Sequence, residues 1–439
     1  MIQHVIIHGY KSLKDVSVDL QSLTVIFGPN AAGKSNLFDA LALLSRMATR
    51  RTLREAFEDH RGAPLEAFFH GEQGIEILLM QPSAQFSIQV DVALSRPVVD
   101  AVDKLIQDMR KGLPEGENGS STKQRIVERK LRYSLTVQIQ TDTGHLRVMN
   151  ERLCALNNDG TEKQSRNAFV ERSDVRSDKL SLRMEGQAHP SYHDIGLDHT
   201  LISTPLYPPH YPHITAFREE LARWRFYYLE PKRLMRSDNP LQEVQSLDST
   251  GANLAAFFNS LKINNRAQFE TVNRVLPVLL PRVDRIDVER TKTGELQLRV
   301  YEGGVSFPAS IVSEGTLRIL GLLAITSALT PASVVGYEEP ENGVHPRRLK
   351  LIADLIKSAT EATDTQFLVN THSPDFSENF DSRQLINCRK NGANTIYESI
   401  GIGGLFDLPD KENIEQGFEE GEYRPLSFSE RIRRGDYSG

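Results

Sequence analysis

Residues Ser22–Met47 read SLTVIFGPNAAGKSNLFDALALLSRM. The apolar run Ser22–Gly28 predicts a strand, and Asn36–Met47 predicts a helix with Leu37, Leu41 and Leu44 on one face. Between them, Gly28–Ser35 fits the pattern G-x-x-x-x-G-K-[ST] in the strand–loop–helix setting that the pattern requires. In a chain of this length the pattern arises by chance on the order of 1% of the time, so a plain glycine-rich turn is the weaker explanation. Two glycines let the loop Gly28, Pro29, Asn30, Ala31, Ala32, Gly33, Lys34, Ser35 turn its amides inward. The amides at the helix start, Asn36 included, can then bind phosphate oxygens. Lys34 brings a positive charge to the β- and γ-phosphates, and the Ser35 hydroxyl can join a magnesium shell. The loop predicts a nucleoside triphosphate, ATP, bound with Mg2+.

Such a loop needs a second strand ending in an acid. Ser333–Pro346, SVVGYEEPENGVHP, is the apolar strand in this chain that ends in paired acids. Glu338 is the expected magnesium-side residue, acting through water, and Glu339 is placed to polarise the attacking water. Without the phosphate loop, two acids near the start of the next helix would suffice as an explanation.

The 439 residues allow two or three domains, and the formal net charge of −6 gives no global footprint for nucleic acid. The two cysteines, Cys154 and Cys388, form no CxxC pattern. No apolar run approaches ~20 residues, so neither export nor membrane spanning is expected and the setting is cytoplasmic. His4–Tyr10 reads as a strand, and Ile75–Leu79, Phe86–Leu94, Tyr133–Gln140 and His145–Leu153 suggest an antiparallel sheet. Val98–Lys130 looks helical at both ends around the turn-rich centre GLPEGENGSSTK, and 157–187 resists assignment. A helix with Phe217, Leu221 and Trp224 on one face follows. Two helices are expected over Asn253–Leu280, then a hairpin of RIDVER and LQLRVYE around TKTGE. From Thr316 onward helix and strand alternate, which argues for a parallel sheet with helical crossovers.

Four motifs in this order resemble an ABC-type P-loop ATPase of the SMC/RecF/OLD-like branch, the group of AAA-family predicted ATPases. GYKSLKDVSVDL resembles the opening strands of these heads. VSEGTLRILGLLAI (Val312–Ile325) resembles the signature, with Glu314 in place of the commoner aspartate. EEPENGVHP resembles the Walker B segment and D-loop, and VNTHSP (Val369–Pro374) the switch-histidine loop. The resemblance covers Met1–Leu94 and Leu221–Ile402. It implies an α/β ABC-ATPase head with a mixed or antiparallel N-terminal sheet, a parallel P-loop sheet flanked by helices, and a middle insertion. It implies that Ser313, Gly315 and Thr316 contact the γ-phosphate held by a second protomer, and that His372 touches that phosphate or the attacking water. Arg318 is either a phosphate ligand or a surface residue. Asn342 and His345 fall in the D-loop that crosses the dimer interface, and Gln73 is the candidate Q-loop glutamine near magnesium. The catalytic set is then Glu339, His372 and Lys34, and the metal set Ser35, Glu338 and Gln73.

The expected division is an N-terminal ATPase lobe over 1–97, an insertion with a short helical arm over 98–220, a C-terminal ATPase lobe over 221–402 and an acidic tail over 403–439. OLD nucleases carry a Toprim domain of ~100 residues, for which the 67 residues after His372 leave no room. The expected function is Mg-dependent ATP hydrolysis by a dimeric nucleotide switch, the ATPase subunit of an antiviral-defence or DNA-directed system with a separate effector protein. DNA is a candidate partner, a membrane is not. The alternative is a regulatory or scaffold ATPase that senses a protein partner and binds no DNA. The tail Leu405–Tyr423, followed by Arg431–Arg434, is a candidate docking segment or a solvated end.

Overall fold

The computed structural model describes residues 1–111, 125–173 and 178–400. The turn-rich centre of the insertion and the acidic tail lie outside them. The strands are β1 Ile2–Tyr10, β2 Leu13–Asp19, β3 Leu23–Phe27, β4 Ser83–Ala93, β5 Lys130–Gln140, β6 Leu146–Ala155, β7 Val170–Arg172, β8 Lys179–Leu182 and β9 Ser191–Asp194. They continue with β10 Trp224–Tyr227, β11 Arg285–Arg290, β12 Leu296–Glu302, β13 Val305–Pro308, β14 Val334–Glu338, β15 Gln366–Thr371, β16 Leu385–Asn391 and β17 Asn394–Ser399. The helices are α1 Lys34–Thr49, α2 Leu53–Glu58, α3 Glu76–Leu79, α4 Arg96–Lys111, α5 Pro212–Ala222, α6 Leu254–Asn264, α7 Arg266–Leu279, α8 Glu314–Thr326, α9 Leu349–Ala362 and α10 Pro374–Ser377.

Two compact units divide the chain, and both are discontinuous in sequence. The first comprises Met1–Ser22, Asn30–Trp224 and Cys388–Glu398. It holds an antiparallel sheet of order β2-β1-β4-β5-β6-β7-β8-β9. Alternation builds that sheet: β5 buries every second residue, so Leu131, Tyr133, Leu135, Val137 and Ile139 face the core. Glu151 on β6 is fully buried, and its carboxylate accepts from Tyr133 Oη at 3.0 Å and from the Leu201 and Ile202 amides at 2.6 and 3.2 Å.

The second unit takes Leu23–Pro29, Arg225–Asn387 and, of the described residues that follow, Ser399 and Ile400. Here β14, β15, β3 and the start of β16 run parallel, with β10 beside β14. β3, β14 and β15 are buried along their whole length, as expected of parallel strands covered on both faces. Val25, Phe27, Val335, Tyr337, Phe367 and Val369 supply one face of the sheet to a core shared with α6, α7 and α8. The antiparallel sheet β11-β12-β13 completes the unit. The α/β head architecture read from the sequence is the one observed.

Three local expectations are corrected. Ile75–Leu79 is not a strand: Glu76–Leu79 forms the short helix α3, and Leu79 and Met80 are 57% and 84% exposed. A brief apolar run without a sheet neighbour has no strand hydrogen bonds to make. Residues 125–129, which lead into β5, form no helix. Trp224 is not on α5, which ends at Ala222; it opens β10, still buried. The unassigned stretch 157–187 contains β7 and β8.

Candidate functional site

Three parallel strands of the second unit end in one row. Glu338 on β14 registers with Asn370 on β15, and Asn370 registers with Ile26 on β3. The segments that leave this row carry Glu339, Thr371–His372 and Gly28–Pro29. Glu338 is 7% exposed, an expensive place for a carboxylate unless a positive charge or donors reach it. Glu339 adopts φ 48°, a left-handed conformation that costs a non-glycine residue about 1–2 kcal/mol. Its amide still donates to Asn370 O at 2.9 Å, while Asn342 Nδ2 donates to its Oε2. The strain turns Glu339 away from its buried neighbour, so two consecutive acids meet different surroundings.

His372 Nδ1 sits 3.5 Å from Glu339 Oε1 and 3.6 Å from Glu341 Oε1. These are electrostatic neighbours beyond hydrogen-bond length. Glu341 accepts from Thr371 Oγ1 at 2.5 Å and from the His372 amide at 3.3 Å. Burial raises the Glu341 carboxyl above the usual range, against the Thr371 hydrogen bond and the attraction of His372, and the nearby Glu339 charge adds to the rise. Glu341 was absent from the sequence-derived set.

At the signature, Ser313 caps α8: its Oγ accepts from the Thr316 amide at 3.2 Å and lies 2.8 Å from Thr316 Oγ1. A Cβ on Gly315 would stand 2.7 Å from Gly343 O, so only glycine lets the helix start lie against the turn after β14. Ser313 and Thr316 line an open cavity of ≈ 830 Å³ with Arg282, His345, Arg347 and Arg348. Arg318 is partly buried with its guanidinium beside the Tyr337 hydroxyl.

In the first unit, Asn30–Asn36 make the rest of the glycine-rich loop and the start of α1. Ala31 and Gly33 have φ of 62° and 101°, and α1 begins with neither a side-chain cap nor an acid in its first turn. A helix start after a glycine-rich turn is a common place for an anion. Lys34 is buried at 7% exposure. The loop is held from the far end of the chain. Thr395 Oγ1 donates to Ala32 O at 2.9 Å and Tyr397 Oη to Gly33 O at 3.0 Å. Asn36 Nδ2 donates to Ser12 Oγ at 2.7 Å, and Ser12 Oγ lies 2.6 Å from Thr395 Oγ1. A Cβ on Gly33 would come within 2.1 Å of Thr395 Oγ1, so the second glycine of the motif serves packing as well as φ. Gln73 is exposed and lines a cavity of ≈ 880 Å³ with Lys14, His70 and Asn394; Lys34 and Ser35 are not among its lining residues.

Residues 1–138 match the family model described as "AAA ATPase domain", and residues 209–378 match the one described as "AAA domain, putative AbiEii toxin, Type IV TA system". The chain carries AAA-family ATPase domains. Over 55 residues the chain is 38% identical to the DNA replication and repair protein RecF of Crocosphaera subtropica (strain ATCC 51142 / BH68). That stretch is 12% of this chain and 14% of the relative, a small part of the relative's length. The fold is similar to that of the SmcHead in the crystal structure with the C-winged helix domain of ScpA. The TM-score is 0.52 at 12% identity, covering 92% of this chain and 99% of that one. The likeness to the SmcHead is one of fold.

Among the described residues no group of three or more His, Cys, Asp or Glu is arranged to hold a metal ion. The chemistry at the C-terminal end of β14 nevertheless suits a hard cation: a buried carboxylate at Glu338, and next to it the Asn370 amide, buried with neither polar atom hydrogen-bonded among the described residues. Mg2+ commonly takes one or two carboxylates and completes its shell with phosphate oxygens and water. Among the described residues no helix is long and apolar enough to cross a membrane.

Proposed function

We propose that this AAA-family ATPase binds ATP with Mg2+ and hydrolyses it as a dimeric nucleotide switch. In this proposal it serves as the cytoplasmic ATPase subunit of an antiviral-defence or DNA-directed system whose effector is a separate protein. The observation that carries the proposal is the row at the ends of β14, β15 and β3. There Glu338, Glu339, Glu341 and His372 gather where the glycine-rich loop begins. Gly28–Asn36 cradle the phosphates, Lys34 neutralises charge that develops on them, and Ser35 and Glu338 hold the metal. Glu339 polarises the attacking water and His372 steadies its charge. The signature residues Ser313, Gly315 and Thr316 receive the γ-phosphate of a second protomer, so that nucleotide binding closes a dimer and hydrolysis opens it. The family description that mentions the AbiEii toxin supports a defence role, and the RecF-like segment supports a DNA-directed one. Gln73 stays a candidate metal-side residue only through the resemblance.

The test is a pair of variants. Glu339→Gln should bind Mg-ATP like the parent, hydrolyse it ~10²–10⁴-fold more slowly and accumulate the closed dimer. Glu338→Gln should instead weaken the magnesium-dependent part of binding and prevent closure. Nucleotide titration with and without Mg2+, together with light scattering, reads both. Parent-rate hydrolysis by Glu339→Gln, or a dimer trapped by Glu338→Gln, sinks the assignment.

A further inference from the structure

Asn370 lies on β15 in the last row that β14, β15 and β3 share, and it is 1% exposed. Among the described residues, neither its Oδ1 nor its Nδ2 has a hydrogen-bond partner. Its backbone carbonyl, by contrast, is used: it accepts from the Glu339 amide at 2.9 Å. A buried amide bare on both atoms is rare, because losing water without gaining a partner is costly. A hydrocarbon side chain of similar size would pack there at no such cost. The alternation of β15 fixes where the amide is directed. Val369 and Phe367 face the core of the unit, so Asn370 faces the opposite side, as Glu338 does on β14 where Tyr337 and Val335 face that core. Registered residues on neighbouring strands stand about 4.8 Å apart, so the amide and the buried carboxylate are side by side.

We propose that Asn370 is a further ligand-facing residue of this site, whose amide holds a water of the hydrated divalent cation beside Glu338 by one accepting and one donating contact. The proposal rests on the ATP-and-magnesium function stated above. A cation that keeps several of its waters needs groups that orient them, and an amide offers both a donor and an acceptor where a carboxylate offers only acceptors. The bare amide is then the cost that the ligand-free chain carries for a contact made only when metal-nucleotide is present.

The test separates that role from a structural one by the sign of the stability change. Asn370→Leu and Asn370→Ala are compared with the parent in two measurements. One is the ligand-free urea midpoint, the other the affinity for ATP in Mg2+ and in EDTA. Asn370→Leu should unfold at the same or higher urea than the parent when ligand-free. In both variants, the factor by which Mg2+ tightens ATP binding should fall about tenfold or more, with the affinity in EDTA unchanged. The alanine variant, which cannot overpack, covers a leucine that fits badly. If both variants lose ligand-free stability and keep the full magnesium effect, the amide has an internal structural partner and the proposal is wrong. If the parent binds Mg-ATP and both variants bind it equally well, the proposal fails while the ATPase function stands. If the parent itself binds no nucleotide, the ATPase function fails and this inference with it.

Discussion

Replacing Thr371 by Val should uncouple the histidine loop from the acids beside it. The change keeps the shape of a fully buried side chain and deletes one hydroxyl. That hydroxyl makes two bonds: it donates to Glu341 Oε1 at 2.5 Å and accepts from the Ser373 amide at 3.0 Å. The first goes to a carboxylate whose side chain is 6% exposed and whose other oxygen has no partner among the described residues, so no water readily replaces it. A hydrogen bond to a charged group contributes about 1.5–3 kcal/mol and a neutral one about 0.5–1.5, which gives a loss of about 2–4.5 kcal/mol. Ser373 is only half-buried and its amide can turn to solvent, which favours the lower half of that range.

The loss should depend on pH, with a definite sign. Burial already raises the Glu341 carboxyl, and the Thr371 bond opposes the rise. A carboxyl raised in the folded state holds a proton over a window in which the unfolded chain has released it. Stability therefore falls as pH rises through that window. Thr371→Val widens the window, so its deficit should be largest where Glu341 is ionised in both proteins and shrink towards acid, where it is protonated in both. Urea unfolding at several pH values gives the deficit, and Thr371→Ser, which keeps the hydroxyl, should recover most of it. ATP affinity should hold while hydrolysis falls, since His372 follows Thr371 directly. A valine variant within about 0.5 kcal/mol of the parent at all pH values would falsify the network as drawn.

Two further outcomes follow from other parts of the molecule. Glu151 is raised to about 7 from its ordinary 4.5, chiefly by burial, so stability contributed by this site should fall as pH rises between those values, by on the order of 3 kcal/mol. Glu151→Gln should flatten the curve of urea midpoint against pH in that interval, and equal slopes in the two proteins would remove Glu151 as its cause. At the signature, mixing Lys34→Ala with Ser313→Arg protomers should restore part of the ATPase activity, because each heterodimer keeps one wild-type loop facing one wild-type signature. A mixture as inactive as either variant alone, with heterodimers demonstrated, refutes the shared site.

The sequence disclosed the residues whose chemistry sits in contiguous segments, and concealed the residues that hold them. Gly28–Ser35 and Ser333–Pro346 are legible because a strand, its exit loop and the next helix are neighbours along the chain as well as in space. The same holds for the hairpin of β11 and β12 and for the pair α6 and α7. Thr395 and Tyr397 support Ala32 and Gly33 from more than 360 residues away, and no local pattern marks a threonine for that task. Gly315 could be read as a signature residue, but its reason, a helix start resting on the Gly343 carbonyl, exists only once α8 and the turn after β14 are packed. Ile75–Leu79 failed in the opposite way: its composition suits a strand, yet a strand also needs a neighbour. Asn370 shows where the boundary lies. In the sequence it is one polar residue at the end of an apolar strand, indistinguishable from a residue about to meet solvent. Register with Glu338, burial and two empty hydrogen-bonding atoms turn it into a candidate ligand contact. Polarity can be read from composition, but whether that polarity is satisfied depends on the whole fold, and unsatisfied polarity is the mark that a ligand leaves on the protein that awaits it.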